Sequence, residues 1–218
     1  MKQYVALILS LIVFSGLSGC ANQTEHLSPS VRENIHTISV DPNIPVPSTI
    51  EYAGGHIIGS AAAGSIVAGP FGCIISQGIA YASESSDREA LLQAMSRRGI
   101  RLDQIFYQAF VNSIKNQTDF KFARTKSYDA QFKFEIISFG FSDKTDASGT
   151  MPFVIVQGQL NDQQGNLLWK SREEVYLNDS EYTGHNIQDY MKNRTLMIDA
   201  FNALMSQASD DFTSTLMY

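Results

Sequence analysis

The chain reads as an α+β domain: a small, mostly antiparallel sheet of about four strands covered by helices, with a Gly-rich apolar helical-hairpin insertion. Three observations predict this. Apolar residues recur at three- and four-residue steps over 90–114 and again over 187–212. They alternate with polar residues over 35–40 and 120–136, as strands with one wet face do. Between these blocks, residues 52–83 hold no Asp, Glu, Lys or Arg.

The elements follow in order. Ile35-His36-Thr37-Ile38-Ser39-Val40 alternates as a half-buried strand, and Pro42, Pro45 and Pro47 then force an extended path. Ser86-Asp87-Arg88-Glu89 reads as a capping box. The helix it opens carries Ala90, Leu91, Ala94 and Met95 on one face and stops at Gly99, a left-handed cap. A second helix carries Leu102, Ile105, Phe106, Ala109, Phe110 and Ile114. The period then switches to two, with Phe120 and Phe122, then Phe132, Phe134 and Ile136. Phe153-Val154-Ile155-Val156 is apolar on both faces and predicts an interior strand. Asn161 to Asn166 is a turn, and Leu167 to Leu177 returns beside that strand. One long helix, about 186–213, closes the domain with a stripe from Ile187 to Phe212.

The 52–83 run has seven glycines, with Pro70 near its centre. Ser60, Gly64, Ala68, Gly72, Ser76 and Ala80, each four residues after the last, form one uniformly small helical row. Such a row lets another backbone approach closely. The opposite side carries Ile58, Ile66, Ile74 and Ile75. Gly69-Pro70-Phe71-Gly72 breaks the helix, so a hairpin of 56–68 and 71–83 is expected. The segment resembles the glycine-zipper regions of bacterial envelope proteins, which implies membrane insertion or self-association. A Gly-rich loop folded against the domain is the alternative.

At the start of the chain Lys2 precedes an apolar run, Tyr4 to Phe14, and then Leu17-Ser18-Gly19-Cys20. A charge, a short apolar stretch and small residues are the parts of a secretory signal. The last four residues resemble the lipobox of bacterial lipoproteins, which implies diacylation of the Cys20 thiol and cleavage before it. A plain secretory signal with a chance cysteine is the alternative. By the same resemblance Ala21, in place of aspartate, implies export to the outer membrane. The expected organisation is a signal peptide over 1–19, a polar lipidated tether over 20–34, and a periplasmic domain over 35–218 that includes the insertion.

Composition narrows the chemistry. There are 16 basic against 22 acidic residues, and only Lys2 among the basic ones leaves with the signal peptide. That balance excludes a nucleic-acid partner, which needs clustered cations. The cluster of Arg97, Arg98 and Arg101 suits a helix C-terminus. With Cys20 acylated, Cys73 stands alone, so neither an intramolecular disulfide nor a thiol zinc site can form. His26, His36, His56 and His185 lack metal-ligand spacing. His185 and Asp189 could meet at a helix start, where a helix-end hydrogen bond is the simpler reading. Asp143 to Gly149 lacks the ligand pattern of a calcium loop and suits a hairpin tip. Arg172-Glu173-Glu174 reads as solvated charge on a strand. No nucleophile elbow or phosphate loop occurs, and no metal or cofactor is expected.

The hairpin with Gly165-Asn166-Leu167-Leu168-Trp169 is similar to one recurring in periplasmic accessory lipoproteins of envelope transport and secretion machines. Trp169 itself reads as a core aromatic. The expected function is therefore non-catalytic: a lipid-anchored assembly or stability factor of an envelope complex. Its partner, protein or a second copy, would be met through 54–83. Two alternatives stand beside it. In one, a lipid- or peptide-binding shuttle uses Phe132, Phe134, Phe139 and Phe141 to line a cavity. In the other, the chain is a hydrolase with an unrecognised site.

Overall fold

The computed structural model describes residues 26–53, 85–123, 127–143, 149–178 and 180–217. Its elements, in chain order, are α1 (Pro29–Arg32), β1 (Thr37–Val40), β2 (Glu51–Ala53), α2 (Ser85–Arg97), α3 (Leu102–Gln117), β3 (Lys121–Phe122), β4 (Ala130–Asp143), β5 (Thr150–Asp162), β6 (Leu167–Tyr176), α4 (Ser180–Thr183), α5 (Ile187–Lys192) and α6 (Arg194–Ser214).

The class is α+β, but the sheet is mixed rather than mostly antiparallel, and it has more strands than expected. Its order is β3-β1-β4-β5-β6, with β2 also paired to β4. β1 and β2 both run parallel to β4, and β3 runs parallel to β1. Only β4, β5 and β6 form an antiparallel meander. Period-two alternation reports which face a residue takes, not which way its strand runs. Parallel pairing needs a crossover, and α2 and α3 supply it between β1 and β4. From β1 to β2 the chain follows the edge of β4: Asp41 donates its N–H to Phe132 O at 2.9 Å, and Pro45 O accepts from Ile136 N at 2.9 Å. Pro42, Pro45 and Pro47 have no N–H to give, so the run is broken into two short strands.

The helices cover one face. Phe134 lies 5.0 Å from Phe106, 4.4 Å from Phe110 and 5.4 Å from Phe212, ring centre to ring centre. Gly158 leaves the space for this cluster, because a Cβ there would stand 2.5 Å from the Phe134 ring. Trp169 is buried in the same cluster, and its Nε1 donates to Thr215 Oγ1 at 3.1 Å. Phe139 and Phe141 pack on Phe201, and Phe141 also on Tyr190. The four strand phenylalanines are thus ordinary core, and helix rings fill the space a carried ligand would need.

Local signals behave as their chemistry requires. Gly99 has φ +66°, and Ile100 donates back to Met95 O at 3.0 Å, closing α2. The helix begins at Ser85, so Ser86 lies inside its first turn. The expected single C-terminal helix is two. Asn193 ends α5 and caps α6, accepting from Leu196 N at 3.1 Å, because an Asx side chain competes with the backbone for hydrogen bonds. The expected tether also ends earlier than residue 34. Leu27 is buried and donates its N–H to Thr215 O at 3.0 Å, and α1 follows at once.

Candidate interaction surface

The residues singled out in the sequence, Cys20 and the row Ser60, Gly64, Ala68, Gly72, Ser76 and Ala80, lie outside the described residues. What the fold defines is where those segments leave the domain. Leu27 is fixed beside Thr215 and Trp169, and Trp169 stands across β5 from Phe132 through Leu160. The chain next leaves the described residues at Ala53, which pairs with Ser142. Phe132 and Ser142 are ten residues apart on β4, roughly 33 Å at about 3.3 Å per residue. The chain returns near the point where it left, since Arg88 of α2 lies 4.0 Å from Glu51 of β2. Gly140 permits this junction: a Cβ there would lie 1.8 Å from Glu51 O.

The second feature is the sheet face that the helical layer leaves alone. Glu135 of β4, Gln157 of β5 and Arg172 of β6 are register neighbours in one cross-strand row. Glu135 Oε2, Gln157 Nε2 and Arg172 Nε are all buried without a hydrogen-bond partner among the described residues. Gln157 is 6 % exposed. Burial pushes the Glu135 carboxyl above its ordinary range. Beside the row, Phe153 and Tyr176 stack at 5.5 Å, and Tyr176 donates its hydroxyl to Glu174. Burial, then that bond, holds the Tyr176 phenol above its usual range. Native proteins keep few such orphaned groups, so the row marks where this face is chemically unfinished.

Reading Arg172-Glu173-Glu174 as solvated therefore needs correction. Glu174 is exposed, but Arg172 and Glu173 are half-buried. Glu173 turns to the helix side, where its carboxylate accepts from Ser171 Oγ at 2.7 Å. Burial and then Asp211 push its carboxyl upward, despite that bond. The sequence did hold a signal for the row: Gln157 and Gln159 interrupt an otherwise apolar strand.

Other expected sites resolve into structure. Asp189 accepts from Asn186 N at 2.9 Å and donates its own N–H to Asn186 Oδ1 at 3.1 Å, a capping box. His185 Nδ1 stands 4.0 Å from Asp189 Oδ2, so the pair is a helix-end arrangement. These residues line an open groove of about 450 Å³ with Lys192, Asn193, Arg194 and Leu196. Arg98 does not serve its own helix end; it donates to Tyr190 O and Met191 O at the end of α5. No cluster of three or more His, Cys, Asp or Glu that could hold a metal occurs among the described residues. No described helix is long and apolar enough to cross a membrane.

No family model matches the chain, and no curated protein matches it. Some solved structures are similar to it at low scores. A DUF330 protein from Xanthomonas campestris is 8 % identical over 88 % of this chain and 89 % of its own, with a TM-score of 0.42. A proposed lipoprotein from Caulobacter crescentus is 10 % identical over 52 % of this chain and 79 % of its own, with a TM-score of 0.37. A PelC dodecamer from Paraburkholderia phytofirmans is 10 % identical over 85 % of this chain and 91 % of its own, with a TM-score of 0.36. At these scores the likenesses carry no functional weight, and the chain's own residues must supply it.

Proposed function

We propose that the chain is a lipid-anchored accessory protein of the bacterial envelope. It is held by acylated Cys20 to the periplasmic face of the outer membrane and acts by binding rather than catalysis. The contact is made by residues 54–83, with a partner protein or a second copy. The observation that supports this reading is the separation of the two exits. Leu27 is fixed at the Phe132 end of β4, whereas Ala53 pairs at the Ser142 end, roughly 33 Å away, and Arg88, on the other flank of the 54–84 stretch, reaches Glu51 there. Seven residues from Cys20 to Leu27 reach about 25 Å at full extension. A domain tethered that closely can hold the far end away from its own membrane, or lie flat with both ends against it. In either pose the apolar run is offered at a place the anchor does not occupy.

The test is crosslinking in intact cells, with capture of wild type and of a deletion of 54–83, and mass spectrometry of what is retained. Loss of one specific partner, or of a self-ladder, on deletion is the expected result. Because Glu51 and Arg88 bring the two flanks together, the deletion should leave the thermal unfolding of the domain nearly unchanged. Cys20→Ala should move the protein out of the membrane fraction and abolish labelling by palmitate. Unchanged partners in the deletion variant would remove the assigned role of 54–83.

A further inference from the structure

β6 ends the sheet, and its outer backbone groups have no strand partner among the described residues. Leu177 donates its N–H inward to Pro152 O at 3.0 Å. Alternate residues of an antiparallel strand direct their backbone groups to opposite sides. The N–H and C=O groups of Lys170, Arg172, Glu174 and Tyr176 therefore point away from β5. Their side chains share the face that carries Glu135 and Gln157, as the Phe153–Tyr176 stack shows. An edge of this length is a template for another strand unless charge blunts it. Here the charge has a direction: Lys170 and Arg172 come first, Glu173 and Glu174 after.

That order decides what the edge can accept. A second β6 laid parallel and in register sets like charge against like. Laid antiparallel, the basic half of each strand meets the acidic half of the other. We propose that β6 is a homotypic interface, pairing antiparallel with β6 of a second copy so that Arg172 of each stands opposite Glu174 of the other. The register follows from the residues. Centring the pair on Ser171 or Arg172 sets cations face to face, and centring it on Glu174 sets that carboxylate against itself. Centring it on Glu173 forms two Arg172–Glu174 pairs and places each Lys170 opposite a Tyr176 ring. The two Glu173 carboxylates then flank the axis from the helix side, each already bonded to its own Ser171 at 2.7 Å. Burial and then Asp211 raise the pKa of that carboxyl, which lessens the repulsion at the axis.

This interface uses none of the 54–83 residues, so it stands or falls apart from the function proposed above. The test is sedimentation of the mature full-length chain in detergent, comparing wild type, Arg172→Glu, Glu174→Arg and the double swap. Wild type should dimerise, and each single reversal should weaken dimerisation at least tenfold. The double swap should restore it. Mixing the two single variants should produce a heterodimer, because positions 172 and 174 of each copy then face the opposite sign on the other. That rescue also establishes that both variants are folded. A monomeric wild type overturns the proposal, as do single variants that dimerise like wild type or a mixture that does not pair. Wild type with 54–83 deleted should still dimerise; loss of the dimer there, with the charge variants unaffected, would overturn it too.

Discussion

The two faces of one sheet have been built to opposite standards. On the helix side, Phe106, Phe110, Phe132, Phe134, Phe212 and Trp169 interlock, and the one indole N–H has its acceptor in Thr215. On the other side, Glu135, Gln157 and Arg172 stand in a row with buried atoms that nothing among the described residues satisfies. Burying apolar area drives folding, and orphaned polar groups oppose it. The first face therefore carries the stability, and the second gives some of it up. The buried donors and acceptors of the row therefore cost stability that the aromatic face does not lose.

The difference can be broken most severely on the aromatic side. Phe134→Ala removes the ring shared by α3, α6 and Gly158, and should cost about 3–5 kcal/mol, read as a fall in the urea midpoint without a change in slope. A loss under about 1 kcal/mol would mean that the helices do not pack on this face as described.

A smaller effect belongs to the junction of the sheet with its N-terminal strand. Asp129 Oδ2 accepts from His36 N at 2.9 Å, Thr37 N at 2.7 Å and Thr37 Oγ1 at 2.9 Å, which clamps β1 against β4. These bonds, the backbone ones first, hold its carboxyl below the ordinary value of 3.8. The stabilisation is complete above that value and is lost as the pH falls through the lower folded pKa. Asp129→Asn should cost up to about 1 kcal/mol at pH 7, given the exposure of the site, and less as the wild-type carboxylate protonates. Urea titrations that differ equally at pH 7 and at pH 2.5 would contradict the assignment of the clamp to the ionised form.

How much of this could be read from the chain depended on the range of the interaction involved. Gly99, Gly165 and the 161–166 turn act through neighbours in sequence, so composition alone located them. The core faces of α3 and β4 were legible because burial imprints a period on the residues. Strand direction was not, since Ile38 alternates in the same way whether β4 runs with it or against it. The break at Asn193 was hidden by an apolar stripe that continues across it from Tyr190 to Met197. Gln157 alone marked the row Glu135–Gln157–Arg172 in the sequence, and its other two members needed the register of three strands. The place where Leu27 docks needed the far end of the chain, Thr215.

The gentlest change sharpens the comparison most. Glu135 is the acidic member of the unsatisfied row, and burial alone raises its pKa above the ordinary value of 4.5. A raised carboxyl pKa means that the folded protein prefers the protonated form. The penalty is therefore absent below the unfolded pKa and grows as the pH rises through the folded one. Glu135→Gln removes the charge and keeps one acceptor oxygen beside Gln157, whose Nε2 lacks an acceptor among the described residues. The variant should be more stable than wild type at pH 7, by up to about 1 kcal/mol given the partial exposure of the site, and equal to it near pH 3. A stabilisation that persists unchanged at pH 3 would assign the gain to packing. A destabilisation at pH 7 would mean that the Glu135 carboxylate has a partner in solution, and that this face is as complete as the one the helices cover.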